Sequence, residues 1–216
     1  MESIWMRDYV NKNLPSIKEN IETPVLIIGG GIAGLMCAYN FMKNNIKFIL
    51  VDGKKLAQGV SANTTAQISI AHDKLYDDIK KKHDEEKVVS YLKSQMEGLE
   101  IINRIIKEEN IECDYKEEST ILCANLKENK KVLNEQFKII RKYNNKVKLL
   151  TAINDVFRYE KGLEFKKQFI FNPMKYMMSI IDILMKNNVS QYEDSLVTKI
   201  NKIDDLYEVT VNDNYK

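Results

Sequence analysis

The sequence predicts an α/β fold in which a parallel sheet carries a glycine turn and a long α+β segment is inserted into the chain. Three observations predict it. Val25–Ile28 is a short apolar run entering Gly29-Gly30-Gly31. Apolar positions spaced by three and four follow from Ile32 to Asn44. A second apolar run, Lys47-Phe-Ile-Leu-Val51, ends at Asp52. Strand, glycine turn, helix and strand within about 30 residues make a βαβ unit.

Each part has its own reason. Val25–Ile28 is rich in β-branched residues and bounded by Pro24 and Gly29, which suits a strand buried on both faces. Gly29, Gly31 and Gly34 read GxGxxG. The first glycine permits a tight turn, the second lets a pyrophosphate approach the backbone, and the third lets the helix pack closely on the strand. The helix N-terminus offers N–H groups and about half a positive charge to phosphate. Ala38 keeps the next turn small, and Asn45 tolerates the left-handed conformation that ends a helix. Asp52 follows Gly31 by 21 residues. Its carboxylate can accept from an adenosine ribose hydroxyl and would repel a 2′-phosphate. The residues therefore point to a Rossmann-like adenine-dinucleotide site, with NADP disfavoured and both FAD and NAD left open.

No charge occurs between Thr23 and Met42, which raises a membrane span as a rival. A span needs about 20 predominantly apolar residues in one helix. Three successive glycines inside this stretch cost about 1 kcal/mol each in a water-exposed helix. The rival is rejected. The whole chain of 216 residues is 44% hydrophobic and 30% charged, with a net charge of +2, so it reads as globular with no electrostatic case for nucleic acid or a membrane surface. Cys37, Cys113 and Cys123 are widely spaced, and His72 and His83 are the only histidines. That pattern argues against a zinc site or disulfide framework and fits the cytoplasm. Charges near the N-terminus stand where a signal peptide needs an apolar run.

Further along, residues 73–110 predict helix with a break near Lys81-Lys-His-Asp84. Asp84 caps a second helix with Val88, Leu92, Met96, Leu99, Ile102 and Ile106 on one face. Residues 111–124 predict one or two strands around Lys116-Glu-Glu118, and residues 127–143 an amphipathic helix burying Leu133, Phe137 and Ile140. Leu163–Phe171 predicts a strand. Asn172-Pro173 starts a helix with Met177, Ile180, Ile181 and Leu184 buried. Val189–Glu193 predicts the third parallel strand, and 196–203 with 206–211 a hairpin around Asp204-Asp205.

Between these lies Ser61-Ala-Asn-Thr-Thr-Ala-Gln-Ile68, by pattern a polar loop. With Trp5 and its proline-bearing spacer, the glycine motif, His72, Tyr76 and Phe171-Asn-Pro-Met-Lys-Tyr176, the sequence resembles the FAD-dependent oxidoreductases of the D-amino-acid oxidase family. It is most similar to a bacterial branch in which some members carry a C-terminal Rieske domain. The resemblance implies FAD as cofactor, held by Gly29, Gly31, Gly34, Asp52, Ser61, Asn63, Thr64, Thr65 and the backbone of Val197. It implies a cofactor domain at 1–72 and 189–216, with a substrate-side insertion at 73–188. It also implies hydride transfer from a small amine or amino-acid-like donor to flavin N5. Asp52 stands where many members have glutamate. His72 is expected to be structural, so no catalytic residue is named. The resemblance covers the N-terminal half of a full-length member. The expected sheet is incomplete at its C-terminal side, and the chain alone is expected to be inactive. The alternatives are a non-catalytic dinucleotide-binding fragment or an NAD-linked dehydrogenase.

Overall fold

The computed structural model describes residues 3–151 and 159–216; Met1, Glu2 and residues 152–158 of the expected insertion lie outside the described residues. A 3-10 helix, Ile4–Asp8, precedes β1 (Leu26–Ile28), α1 (Ile32–Lys43) and β2 (Ile49–Val51). A second 3-10 helix, Val60–Asn63, leads to β3 (Gln67–Ile68), α2 (Leu75–Lys82), α3 (Glu85–Glu108), β4 (Lys116–Ala124), α4 (Lys127–Ile140), β5 (Val147–Leu150) and β6 (Lys161–Ile170). The chain closes with α5 (Pro173–Lys186), β7 (Ser190–Tyr192), β8 (Val197–Ile203) and β9 (Leu206–Val211).

The chain divides into two compact units. Residues 1–65 and 172–216 form the first, and residues 66–171 the second. The expected seams were 72/73 and 188/189, so α5 lies with the first unit instead of with the insertion.

In the first unit β1, β2 and β7 form a parallel sheet in that order, with Ile27 opposite Leu50 and Leu50 opposite Gln191. Side chains alternate across this sheet. Val51 joins Ile17 and Val211 in one apolar cluster, with Ile49, Val197 and Val209 against it. Helix α1 packs on β1 and against α5, burying Leu35, Ala38 and Tyr39. α5 begins as expected, because Asn172 Oδ1 accepts from the Met174 and Lys175 amides and Pro173 opens the first turn. Asn45 and Asn188 follow their helices with φ of 56° and 58°. As expected of an incomplete sheet, β1 has β2 on one side and, among the described residues, no strand on the other. Only the burial on both faces differs, since Ile28 is 50% exposed.

In the second unit β6 is the organising strand. It runs antiparallel to β4 on one side and to β5 and β3 on the other. Lys116–Glu118 is therefore the start of one strand and not a break between two, because each of these residues has a partner in Gln168–Ile170. A bulge between Glu118 and Thr120 faces Lys167, whose φ is 56°; the extra residue on β6 reverses the alternation, so the face that carries Phe165 continues with the buried Gln168, whose Oε1 accepts from the Ile70 amide at 2.8 Å. Helix α4 lies on β4, β5 and β6. Leu163 and Phe165 pack with Val88, Leu92, Ile140 and Tyr76 in the core. Asp84 caps α3 by accepting from the Lys87 amide at 2.9 Å.

Phe165 is fully buried at the centre of this sheet. Phe165→Ala leaves a cavity there and is expected to lower stability by about 3–5 kcal/mol. Urea unfolding followed by far-ultraviolet circular dichroism checks this, and a midpoint equal to that of the parent would refute it.

Candidate functional site

The glycine turn shows why each residue type is needed. Gly29 has φ +104°, a conformation open to glycine and strained for other residues, and its N–H donates to Val51 O at 2.8 Å. A Cβ on Gly34 would stand 1.8 Å from the Gly29 carbonyl oxygen, so glycine there sets how closely α1 approaches the turn. A Cβ on Gly31 would meet only Ser61 Oγ, at 3.1 Å. Gly31 is the N-cap of α1 and offers no capping side chain of its own. Its helix end is thus bare backbone, the surface a phosphate can approach.

Two distant segments converge on this turn. Asp52, just past β2, accepts from the Gly30 amide through Oδ2 at 2.7 Å and from the Lys54 amide through Oδ1 at 2.8 Å. Ser61 Oγ accepts from the Ile32 amide at 3.0 Å, at the mouth of α1. As a hydroxyl, Ser61 keeps a proton to donate outward while it accepts from the helix. Asn63, Thr64 and Thr65 are exposed beyond it; Asn63 Nδ2 donates back to Gly59 O at 3.3 Å. Val197 opens β8, and the bend before it is tied to the same place, because the Ser195 amide donates to Asp52 O at 2.8 Å. The glycines, Asp52 and Ser61 are therefore assembled at one helix end, with Asn63 to Thr65 following Ser61, while Val197 packs against the apolar cluster of Ile17, Val51 and Val211.

Sequence reasoning missed three supports. A Cβ on Gly30 would lie 2.0 Å from Leu56 Cδ2, and Gly30 O accepts from the Ala57 amide at 2.9 Å, so the middle glycine seats the loop after β2. Glu193 is 2% exposed and accepts from the Leu56 amide through Oε1 at 3.0 Å. Lys55 Nζ lies 2.8 Å from Asp194 and 3.1 Å from Glu193 Oε2. Those hydrogen bonds, to Asp194 first and Glu193 second, hold the Lys55 ammonium above its ordinary pKa. Glutamate in a polar stretch ordinarily reads as exposed, so no sequence signal marked it.

His72 lies in the second unit. Its Nδ1 is hydrogen-bonded to the Tyr91 hydroxyl at 2.7 Å, and its ring stacks on Tyr76 at 6.2 Å. Burial raises the pKa of Tyr91. No group of three or more potential metal ligands occurs among the described residues, no disulfide joins the cysteines, and no described helix is long and apolar enough to cross a membrane.

A parallel βαβ sheet, a positive-φ glycine turn and an acid at the end of the second strand define the class of α/β proteins that bind adenine dinucleotides. Within that class the chain belongs to the FAD dependent oxidoreductase family, whose model it matches over residues 24–215. It is 23% identical over 201 residues to YhfW of Bacillus subtilis, named as a Rieske 2Fe-2S iron-sulfur protein, covering 93% of this chain and 40% of that one. It is 26% identical over 198 residues to γ-glutamylputrescine oxidoreductase of Escherichia coli, covering 88% and 46%. The fold is similar to half of L-proline dehydrogenase from P. horikoshii, with a TM-score of 0.71 at 14% identity over 92% of this chain and 50% of that one. The chain thus spans less than half the length of these curated relatives.

Two substitutions probe the turn. Gly31→Val places a branched side chain at the bare helix end and is expected to weaken FAD binding more than tenfold, about 1.4 kcal/mol. Equal flavin retention by variant and parent in equilibrium dialysis would refute it. Asp52→Ala removes a charged acceptor and is expected to cost ADP affinity by about 1.5–3 kcal/mol, read by calorimetry. An unchanged affinity would remove Asp52 from the adenosine site.

Proposed function

We propose that the first unit is the cofactor-binding part of an FAD-dependent oxidoreductase that takes a hydride from a small amine or amino-acid-like substrate. The observation that carries this reading is the convergence of Asp52 and Ser61 on one glycine turn. The residues fit the adenosine and diphosphate half of FAD. The N-terminus of α1 at Gly31 and the Ser61 hydroxyl, which accepts from the Ile32 amide, would meet the diphosphate. Asp52, whose oxygens each keep an unused lone pair beside the backbone amides, would accept from a ribose hydroxyl. Asn63, Thr64 and Thr65 would line the side leading toward the flavin, and the Val197 backbone would face the adenine.

Bound FAD supplies a ring that accepts hydride. This chain's part is to bind and orient: the α1 dipole and backbone amides favour the doubly charged diphosphate, and Asp52 discriminates against a phosphorylated ribose. In this reading the second unit is the substrate-side insertion, and His72 positions aromatic rings within it without acting on substrate. Substrate oxidation is a property proposed for a protein of the relatives' full length, since this chain spans less than half of theirs.

The test is direct titration. Trp5 is the one tryptophan of the chain, and its indole N–H donates to Thr64 O at 2.9 Å beside the proposed site. FAD is expected to quench its emission in a saturable manner, and ADP to compete with FAD. NADP is expected to leave the signal unchanged. Saturable binding of NAD without any for FAD would overturn the reading.

A further inference from the structure

The N-terminal segment before β1 carries no part of the glycine motif, yet it makes long-range bonds along its whole length. Trp5 Nε1 donates to Thr64 O at 2.9 Å. Asp8 Oδ2 accepts from Asn172 Nδ2 at 2.7 Å. Lys12 pairs with Asp182 of α5 at 2.7 Å. Pro15 O accepts from the Glu193 amide at 2.9 Å, and the Ile17 amide donates to Ser195 Oγ at 2.9 Å. Tyr9, between these points, has its hydroxyl buried near Glu193 and Gln58, and burial followed by the Glu193 charge raises its pKa.

The positions of the first two partners are informative. The first unit ends at Thr65 and resumes at Asn172. Thr64 is the residue before the exit, and Asn172 is the residue of re-entry. The two chain crossings also run side by side, since the Phe171 amide donates to Ala66 O at 3.3 Å. One short 3-10 helix, Ile4–Asp8, thus grips both places where the chain passes between units, using one side chain at each end.

We infer that Ser3–Ile17 is a staple that fixes both crossings, and that Trp5 and Asp8 are its positioning residues. Through Thr64 the staple sets the loop that begins at Ser61. Through Asn172 it sets the start of α5, because Asn172 uses its Oδ1 to cap that helix while its Nδ2 is held by Asp8. The consequence for cofactor affinity rests on the FAD reading above; the mechanical role does not. Removing either anchor leaves Lys12, Pro15 and Ile17 in place, so the segment stays attached and the unit stays folded.

The experiment is hydrogen exchange on the full chain without cofactor, comparing the parent with Trp5→Phe and Asp8→Ala. Trp5→Phe keeps an aromatic ring and removes the donor. It is expected to raise exchange at least fivefold in peptides covering 59–66. Asp8→Ala is expected to do the same for 171–176. Both are expected to leave β1, α1 and β2 unchanged, a pattern that general destabilisation would not produce. FAD titration of Trp5→Phe by flavin fluorescence is then expected to show a Kd three- to tenfold above the parent. Unchanged exchange at 59–66 and 171–176, or an equal rise throughout the unit, would overturn the staple. Failure of the parent to bind FAD, with the exchange pattern as expected, would overturn the cofactor reading and leave the staple standing.

Discussion

The Gly29 carbonyl oxygen and the Cα of Gly34 are too close for any side chain to stand between them. That contact is the constraint on which the first unit depends. It draws the first turn of α1 against the end of β1, so the helix axis leaves the sheet at the glycine turn. The helix then presents Leu35, Ala38 and Tyr39 inward. With α1 fixed, its N-terminus, where Ser61 Oγ takes the Ile32 amide, opens at the C-terminal edge of the parallel sheet, where ligands of open α/β folds bind. A larger residue at 34 would have to lift the helix, and the turn, the Asp52 bond and the Ser61 bond would separate together.

Around that contact the protein uses charge sparingly and mostly on backbone amides. Asp52 does not pair with a basic side chain; it takes two amides of its own surroundings. Glu193 is more buried and also takes an amide, with Lys55 offsetting its charge. A carboxylate inside a protein is costly unless it is hydrogen-bonded or paired. Here the cost is met by segments that must be held anyway: the loop after β2 and the bend after β7. The same two carboxylates therefore gain the hydrogen bonds they need and hold those segments in place.

What the sequence made legible follows from which physics is residue-specific. The glycine turn was legible because positive φ and contact below van der Waals distance each demand glycine. The caps at Asp84 and Asn172 were legible because a short polar side chain before an apolar stripe has few other uses. Asn45 was legible as a helix end for a different reason, because asparagine tolerates the left-handed conformation it adopts there. The staple was not, because its bonds to Thr64, Pro15 and Glu193 involve backbone groups that every residue type supplies. β3 and β5 are two and four residues long and borrow their order from β6, so they leave no period to read. The stripe on α5 was read correctly, but a stripe says only that a helix has a buried face. It does not say which core receives it, and α5 belongs with the first unit.

An insertion entered at Ala66 and left at Phe171 must join the host unit through two strands of backbone, and those joints are where a host loses definition. Antiparallel pairing between Gln67–Ile68 and Phe169–Ile170 keeps the joints side by side on the insertion side. On the host side the corresponding work falls to residues distant in sequence, Trp5 and Asp8, because neither Thr64 nor Asn172 lies in a strand of the host sheet. Loop closure over a long insertion costs entropy that grows only slowly with its length. The larger demand is directional: the loop that carries Ser61 has to end at a fixed place even though more than a hundred residues follow before the chain returns. A segment ahead of β1 that holds both joints meets that demand without adding a strand. It also explains why a chain whose recognisable motif starts at Val25 keeps an ordered stretch ahead of it.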